Sequence, residues 1–205
     1  MTEGENLVMA LVDRTCDPRV IVRRSALQVL SNLITAFPSS YRRSILLVLR
    51  QHCLDPSSLV RKQVLLSLTN VLSAVPPYDE WQDDMKEYYE EVEESWLRGV
   101  LPQICDRDTK VRGKALEYTW NILMGRTSEP PNWRLIRKME ILRLLPFLSE
   151  AVSSWAEDKH SLGKDIWPSI RDYLHGENQY PAWLLLCTLS EHTDLPDASS
   201  VKDHF

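Results

Sequence analysis

The chain has 205 residues, 43% of them hydrophobic, which is enough for one or two domains with a continuous core and sets disorder aside as the expectation. Only 6 glycines occur, with no Asn-Gly or Gly-rich hairpin signal, so an all-β fold and a phosphate-cradling glycine loop are both excluded in favour of a mostly helical protein. The net charge of −5 names no partner, but it is unevenly spread: residues 1–75 carry +4, 76–94 carry −8, 95–143 carry +5 and 144–205 carry −6, so an acidic block separates two basic ones.

In chain order, the first strong feature is a repeat. Asp17 to Arg23, Asp55 to Arg61 and Asp106 to Arg112 each read as an Asp, four residues, then Val-Arg. Counted from Val22, Val60 and Val111, apolar residues recur at one spacing: Ala26, Leu30, Leu33, Ile34, then Val64, Leu68, Val71, Leu72, then Ala115, Ile122, Leu123, with Thr119 the one polar residue in the stripe. Leu27, Leu65 and Leu116 widen that stripe, which predicts inner helices buried on more than one side. Matching apolar triplets precede each Asp, namely Leu7, Val8, Leu11, then Ile45, Leu46, Leu49, then Trp96, Leu97, Val100, and predict an outer helix for each copy. In the turn between them, Asp17 and Asp55 are expected to accept amides at the start of the inner helix, with Pro18 and Pro56 at its first position. Asp106 does the same without a proline.

The copies are offset by 38 and then 51 residues, the extra length falling in Pro76 to Glu94. A two-helix unit near 40 residues with this pattern resembles the HEAT repeat, which stacks into an α-solenoid. The expected organisation is therefore all-α: three repeats over 1–125 with an acidic insertion at about 76–94, degenerate helical repeats over 126–192 continuing the solenoid, and a polar tail over 193–205. Past Gly125, helices are read over Trp133 to Leu148, Leu162 to Leu174 and Trp183 to Leu189, broken by Pro131, Pro146, Pro168 and Pro181.

The repeated Asp and Arg stand at one structural position in every copy, whereas a catalytic pair is needed once. Caps and an inter-repeat hydrogen-bond ladder are the expected roles of Asp17, Asp55, Asp106, Arg23, Arg61 and Arg112. Cys16, Cys53, Cys105 and Cys187 form no CxxC pair and read as reduced, intracellular and buried, and the five histidines show no metal-ligand spacing. No apolar run approaches the length of a membrane helix, so a soluble protein is expected. Neither a metal nor any other cofactor is expected, and no small-molecule substrate.

Two surfaces remain as candidates. Arg24, Arg42, Arg43, Lys62 and Lys114 are not required by the repeat core and could line a basic edge for DNA or chromatin phosphates. The acidic segment, with Trp81, Tyr88 and Tyr89 among its carboxylates, is either a solvated loop running into a helix or a docking element for a basic partner.

Val22 to Leu30, Val60 to Leu68, Trp96 to Pro102 with Lys114 to Glu117, and Pro181 to Leu186 resemble the D-type, HEAT-repeat non-SMC subunits of condensin II. The resemblance runs from about Arg14 to Leu189. It implies a non-enzymatic regulatory subunit of a nuclear, chromosome-bound complex that acts in mitosis, with a kleisin, SMC ATPases, a second HEAT subunit, chromatin or histones, and DNA as partners. Members of that family are many times longer, which implies a fragment, and the acidic insertion is not part of their pattern. A generic HEAT adaptor of the transport-receptor or phosphatase-scaffold type, and a HEAT-like DNA glycosylase, are the rival readings.

Overall fold

A computed structural model describes residues 3–37, 42–125, 130–158 and 162–195. Every regular element among them is helical: α1 Glu3–Thr15, α2 Val20–Ala36, α3 Arg42–Gln51, α4 Ser58–Ser73, α5 Lys86–Gly99, α6 Thr109–Leu123, α7 Trp133–Ile141, α8 Leu145–Asp158, α9 Leu162–Arg171 and α10 Gln179–Ser190. The chain divides into two compact units, Met1–Ala115 and Leu116–Phe205. The division falls inside α6, ten residues before the boundary read at 125, because the second half of that helix packs with its own unit: the Trp120 ring stands edge-on to Trp155 on α8, 5.1 Å between centroids. No described helix is long and apolar enough to cross a membrane.

In the first unit the outer helix α1 packs on the inner helix α2, α3 packs on α2 and α4, α5 packs on α3 and α4, and the two inner helices α2 and α4 pack on each other, the arrangement of a short α-solenoid. Short 3-10 turns, His52–Leu54 and Leu101–Cys105, extend α3 and α5 into the turns that precede Asp55 and Asp106. The stripe positions Leu27, Leu30, Val60, Val64, Leu65, Trp96, Leu97, Val100 and Val111 are sealed from solvent. Each such side chain contributes about 1.5–3 kcal/mol by leaving water.

Three expectations for this unit are corrected. Pro18 and Pro56 lie in the bends before α2 and α4 rather than at their first positions, because the Asp side chains accept the amide two residues on, Arg19 N–H at 2.9 Å and Ser57 N–H at 2.8 Å, and so close a turn ahead of the helix. Val22 is only half-buried and Leu7 is 59% exposed, whereas Val60, Val111, Ile45 and Trp96, at the same repeat positions, are fully buried. Inside the array those positions are covered by the neighbouring repeat, and among the described residues nothing stacks on that side of the first copy. Of the cysteines only Cys53 is buried; Cys16, Cys105 and Cys187 are exposed, the first two because they occupy the outward turn position just before a repeat Asp.

In the second unit the helix read over 133–148 is two helices. Arg143, at φ 59°, reverses the chain: Leu144 N–H returns to the Met139 carbonyl at 2.7 Å and Arg143 N–H to the Glu140 carbonyl at 2.9 Å, the paired bonds of a helix stop. Pro146 then falls in the first turn of α8, where its missing amide costs nothing. Pro168 does not break α9 but sits within it, and α10 begins at Gln179, earlier than expected, with Pro181 in its first turn. Helix α10 packs against α7, α8 and α9 through Ala182, Leu185, Leu186 and Leu189. Residues 196–205 of the expected tail lie outside the described residues.

Candidate interaction surfaces

The repeated charged residues form a ladder along the turns of the first unit. Arg23 donates through Nε and Nη2 to both oxygens of Asp55, at 2.9 and 2.8 Å, and through Nη1 to the Asp17 carbonyl at 3.0 Å. One repeat on, Arg61 does the same to Asp106, at 2.7 and 2.8 Å, and to the Asp55 carbonyl at 2.8 Å. Arg112 repeats the carbonyl contact, to Asp106 at 3.2 Å. Arg23 and Arg61 therefore each close their own turn and clamp the carboxylate of the next copy, while Arg112 closes its own turn. Burial works against ionisation of Asp55 and Asp106, but the guanidinium forks and the amides of Ser57 and Asp108 outweigh it and hold both carboxyls below the usual range. Asp17 is held low chiefly by Arg19, whose side chain is largely exposed. Asp55 and Asp106, each accepting two guanidinium bonds and one backbone amide, are fasteners between repeats.

The candidate basic residues do not share one edge. Arg24 and Lys62 stand at the same repeat position on neighbouring inner helices; Arg24 is exposed and its Nε–H donates to Gln63 Oε1 at 3.1 Å, bridging α2 to α4. Arg43 lies on outer helix α3 and pairs with Glu91 of α5 at 3.0 Å, at one wall of a groove of about 310 Å³ that also takes in Leu47, Arg50 and Glu94. Lys114 is exposed on α6, and the side chain of Arg42 lies outside the described residues.

The acidic segment is half loop and half helix. Its second part, from Lys86, is the start of α5, which puts Glu87 at the positive end of that helix. Its first part folds on a chain of rings: Tyr78 to Trp81 at 5.0 Å, Trp81 to Tyr89 at 5.1 Å and Tyr89 to Tyr88 at 5.6 Å between centroids. Trp81 Nε1–H donates to the Pro76 carbonyl at 2.9 Å, and the buried Tyr88 hydroxyl donates to the Ile34 carbonyl at 3.3 Å. Tyr88 is thus an anchor that ties the segment to α2, while Trp81 and Tyr89 are half-buried and Tyr78 is exposed. Sequence reasoning grouped Tyr88 with its neighbours because adjacent residues share composition; only helix phase separates them.

No group of three or more His, Cys, Asp or Glu suited to a metal occurs among the described residues. His52 faces two carbonyls, Val48 at 3.0 Å and Thr15 at 2.9 Å, so it joins the end of α3 to the end of α1.

No family model matches the chain. A sequence relative does. The chain is similar to the condensin-2 complex subunit D3 of Mus musculus, 30% identical over 201 residues, which covers 91% of this chain and 12% of that protein. The chain thus carries a condensin-like segment and spans about an eighth of the relative's length. The crystal structure of an engineered protein, a Northeast Structural Genomics Consortium target, covers 92% of the chain at 15% identity with a TM-score of 0.32, a likeness too loose to bear on fold or function.

Proposed function

We propose that the chain is a non-enzymatic HEAT-repeat scaffold or regulatory subunit of condensin II, acting on mitotic chromosomes in the nucleus through the kleisin, the SMC ATPases, the second HEAT subunit and chromatin. The observation that carries this reading is the 30% identity to condensin-2 subunit D3 along 91% of the chain. It is supported by the ladder, in which the most distinctive charged residues serve stacking and not chemistry. DNA or chromatin contact through Arg24, Arg43, Lys62 and Lys114 belongs to the same reading, with the Arg43 to Glu91 pair at 3.0 Å as a built-in competitor for phosphate.

Co-purification of the full chain with the kleisin and SMC subunits from mitotic cell extract is the expected result. Association with a phosphatase catalytic subunit or a transport cargo in their place would overturn the condensin reading in favour of a generic HEAT adaptor. Turnover of ATP or excision of alkylated bases that tracks the purified monomer would overturn the scaffold reading altogether.

A further inference from the structure

The exposed faces of α2 and α4 carry large apolar side chains where stacking does not need them. Ile21 and Leu59, one residue before Val22 and Val60, are 71% and 53% exposed, and Leu66, two turns after Leu59 on the same face, is 40% exposed. Scattered exposed leucines are ordinary, but here the same outward position is apolar in two neighbouring repeats, which favours a shared purpose over chance. Arg24 follows Ile21 by one turn on α2, and its bond partner Gln63 lies one turn after Leu59 and one before Leu66 on α4. The Arg24 Nε–H is fixed by Gln63, which is itself buried and donates to Ser67 Oγ at 3.4 Å, so the guanidinium is held across the α2 to α4 seam, and among the described residues its two terminal amino groups make no hydrogen bond or ion pair. Lys62 stands one repeat further on at the same position, and residues 1–75 as a whole carry +4.

We infer that this face docks an extended acidic peptide segment in which a carboxylate lies between two large apolar residues. The spacing follows from helix geometry. Leu59 and Leu66 are seven residues apart, or about 10 Å along α4, and in an extended chain side chains on one face recur at every second residue, so the first, third and fifth residues, about 13 Å from end to end, reach across that distance. A segment lying in the seam can therefore place one apolar side chain by Ile21 and Leu59, a second by Leu66, and a carboxylate on the free fork of Arg24 between them. A carboxylate matches the guanidinium fork in plane and charge. Duplex DNA would satisfy the cations but offers nothing to Ile21, Leu59 and Leu66, so an acidic peptide accounts for all of the face and DNA for part of it. The inference deepens the scaffold reading by naming the chemistry of one surface. It does not need the condensin partners, so a failed co-purification and a failed peptide titration are separate results.

The test is fluorescence anisotropy of the full chain with a labelled ten-residue peptide holding leucine, glutamine, glutamate, glutamine and leucine in succession, so that both leucines and the glutamate share one face when extended, and with a labelled 20-base-pair duplex. Saturable peptide binding is expected, weakened about tenfold or more by replacing the peptide's glutamate with glutamine or by Arg24→Gln. The two changes together should cost little more than either alone, and Leu59→Ser should weaken binding without any change at Arg24. Thermal melts of Leu59→Ser should match the parent, and those of Arg24→Gln should fall by no more than the loss of the one hydrogen bond to Gln63. Peptide binding that is absent, or indifferent to Arg24→Gln and Leu59→Ser, overturns the inference. Duplex binding that is lost on Arg24→Gln and is not displaced by the peptide assigns the face to nucleic acid instead.

Discussion

Removing one partner of the Arg61 to Asp106 clamp should cost far more than a surface charge normally does. Both side chains are almost fully buried, 6% and 5% exposed, and two bonds of 2.7 and 2.8 Å join them. In Asp106→Ala the guanidinium stays in place, largely dry, with its Nη1–H still on the Asp55 carbonyl but its other two donors empty, and the Asp108 amide loses its acceptor as well. Leaving one member of a buried pair alone costs about 3–5 kcal/mol, while the exposed Arg98 to Glu94 pair on α5 should be worth under about 1 kcal/mol. Urea unfolding followed by circular dichroism, with amide exchange on α4 as the local readout, measures both. The acid limb supplies an independent check. Asp55 and Asp106 have folded carboxyl pKa values below their unfolded ones, so their contribution is fully present above about pH 4 and is lost as pH falls through the lowered folded values. Asp106→Asn should therefore flatten the loss of stability below about pH 4 relative to the parent chain. A cost under about 1 kcal/mol for Asp106→Ala, or an unchanged acid limb for Asp106→Asn, would refute the clamp as the fastener between repeats.

Three further outcomes follow from packing. Gly99→Ala puts a methyl group 2.9 Å from Leu68 Cδ1 and 3.1 Å from Cys53 Sγ, and should destabilise the first unit by about 1–3 kcal/mol in urea titrations; no shift in the midpoint would mean that the α5 contact is looser than described. Burial pushes the Cys53 thiol up to about 12, so a disulfide-exchange reagent at pH 8 should react quickly with Cys16, Cys105 and Cys187 and with Cys53 only after denaturant is added. Arg143→Gly removes a side chain from a left-handed position and should raise thermal stability by about 0.5–1 kcal/mol, whereas a loss would show that the Arg143 side chain holds the α7 to α8 turn by a contact of its own.

The helical class, the three repeats and the roles of Asp55, Asp106, Arg23 and Arg61 are legible in sequence because each is periodic: a stripe at helical spacing reports the face of its own helix, and a charge recurring at one offset in every copy reports a structural duty. The tertiary structure alone decides which neighbour each face meets. The equal spacing of Asp and Arg announces a ladder between copies, and the structure decides its direction: Arg23 and Arg61 each take the carboxylate of the following copy, Asp55 and Asp106, and only the carbonyl of their own. Leu7 and Val22 carry the same pattern as Ile45 and Val60, yet Leu7 is exposed and Val22 only half-buried, since burial needs a second surface and not only an apolar side chain. Tyr88 and Tyr89 are adjacent and chemically alike, and one becomes an anchor under α2 while the other stays half-exposed, because a 100° step along α5 turns them toward different surroundings. Arg24 likewise reads as an ordinary surface cation until Gln63, 39 residues later, is seen to fix its Nε–H across the α2 to α4 seam.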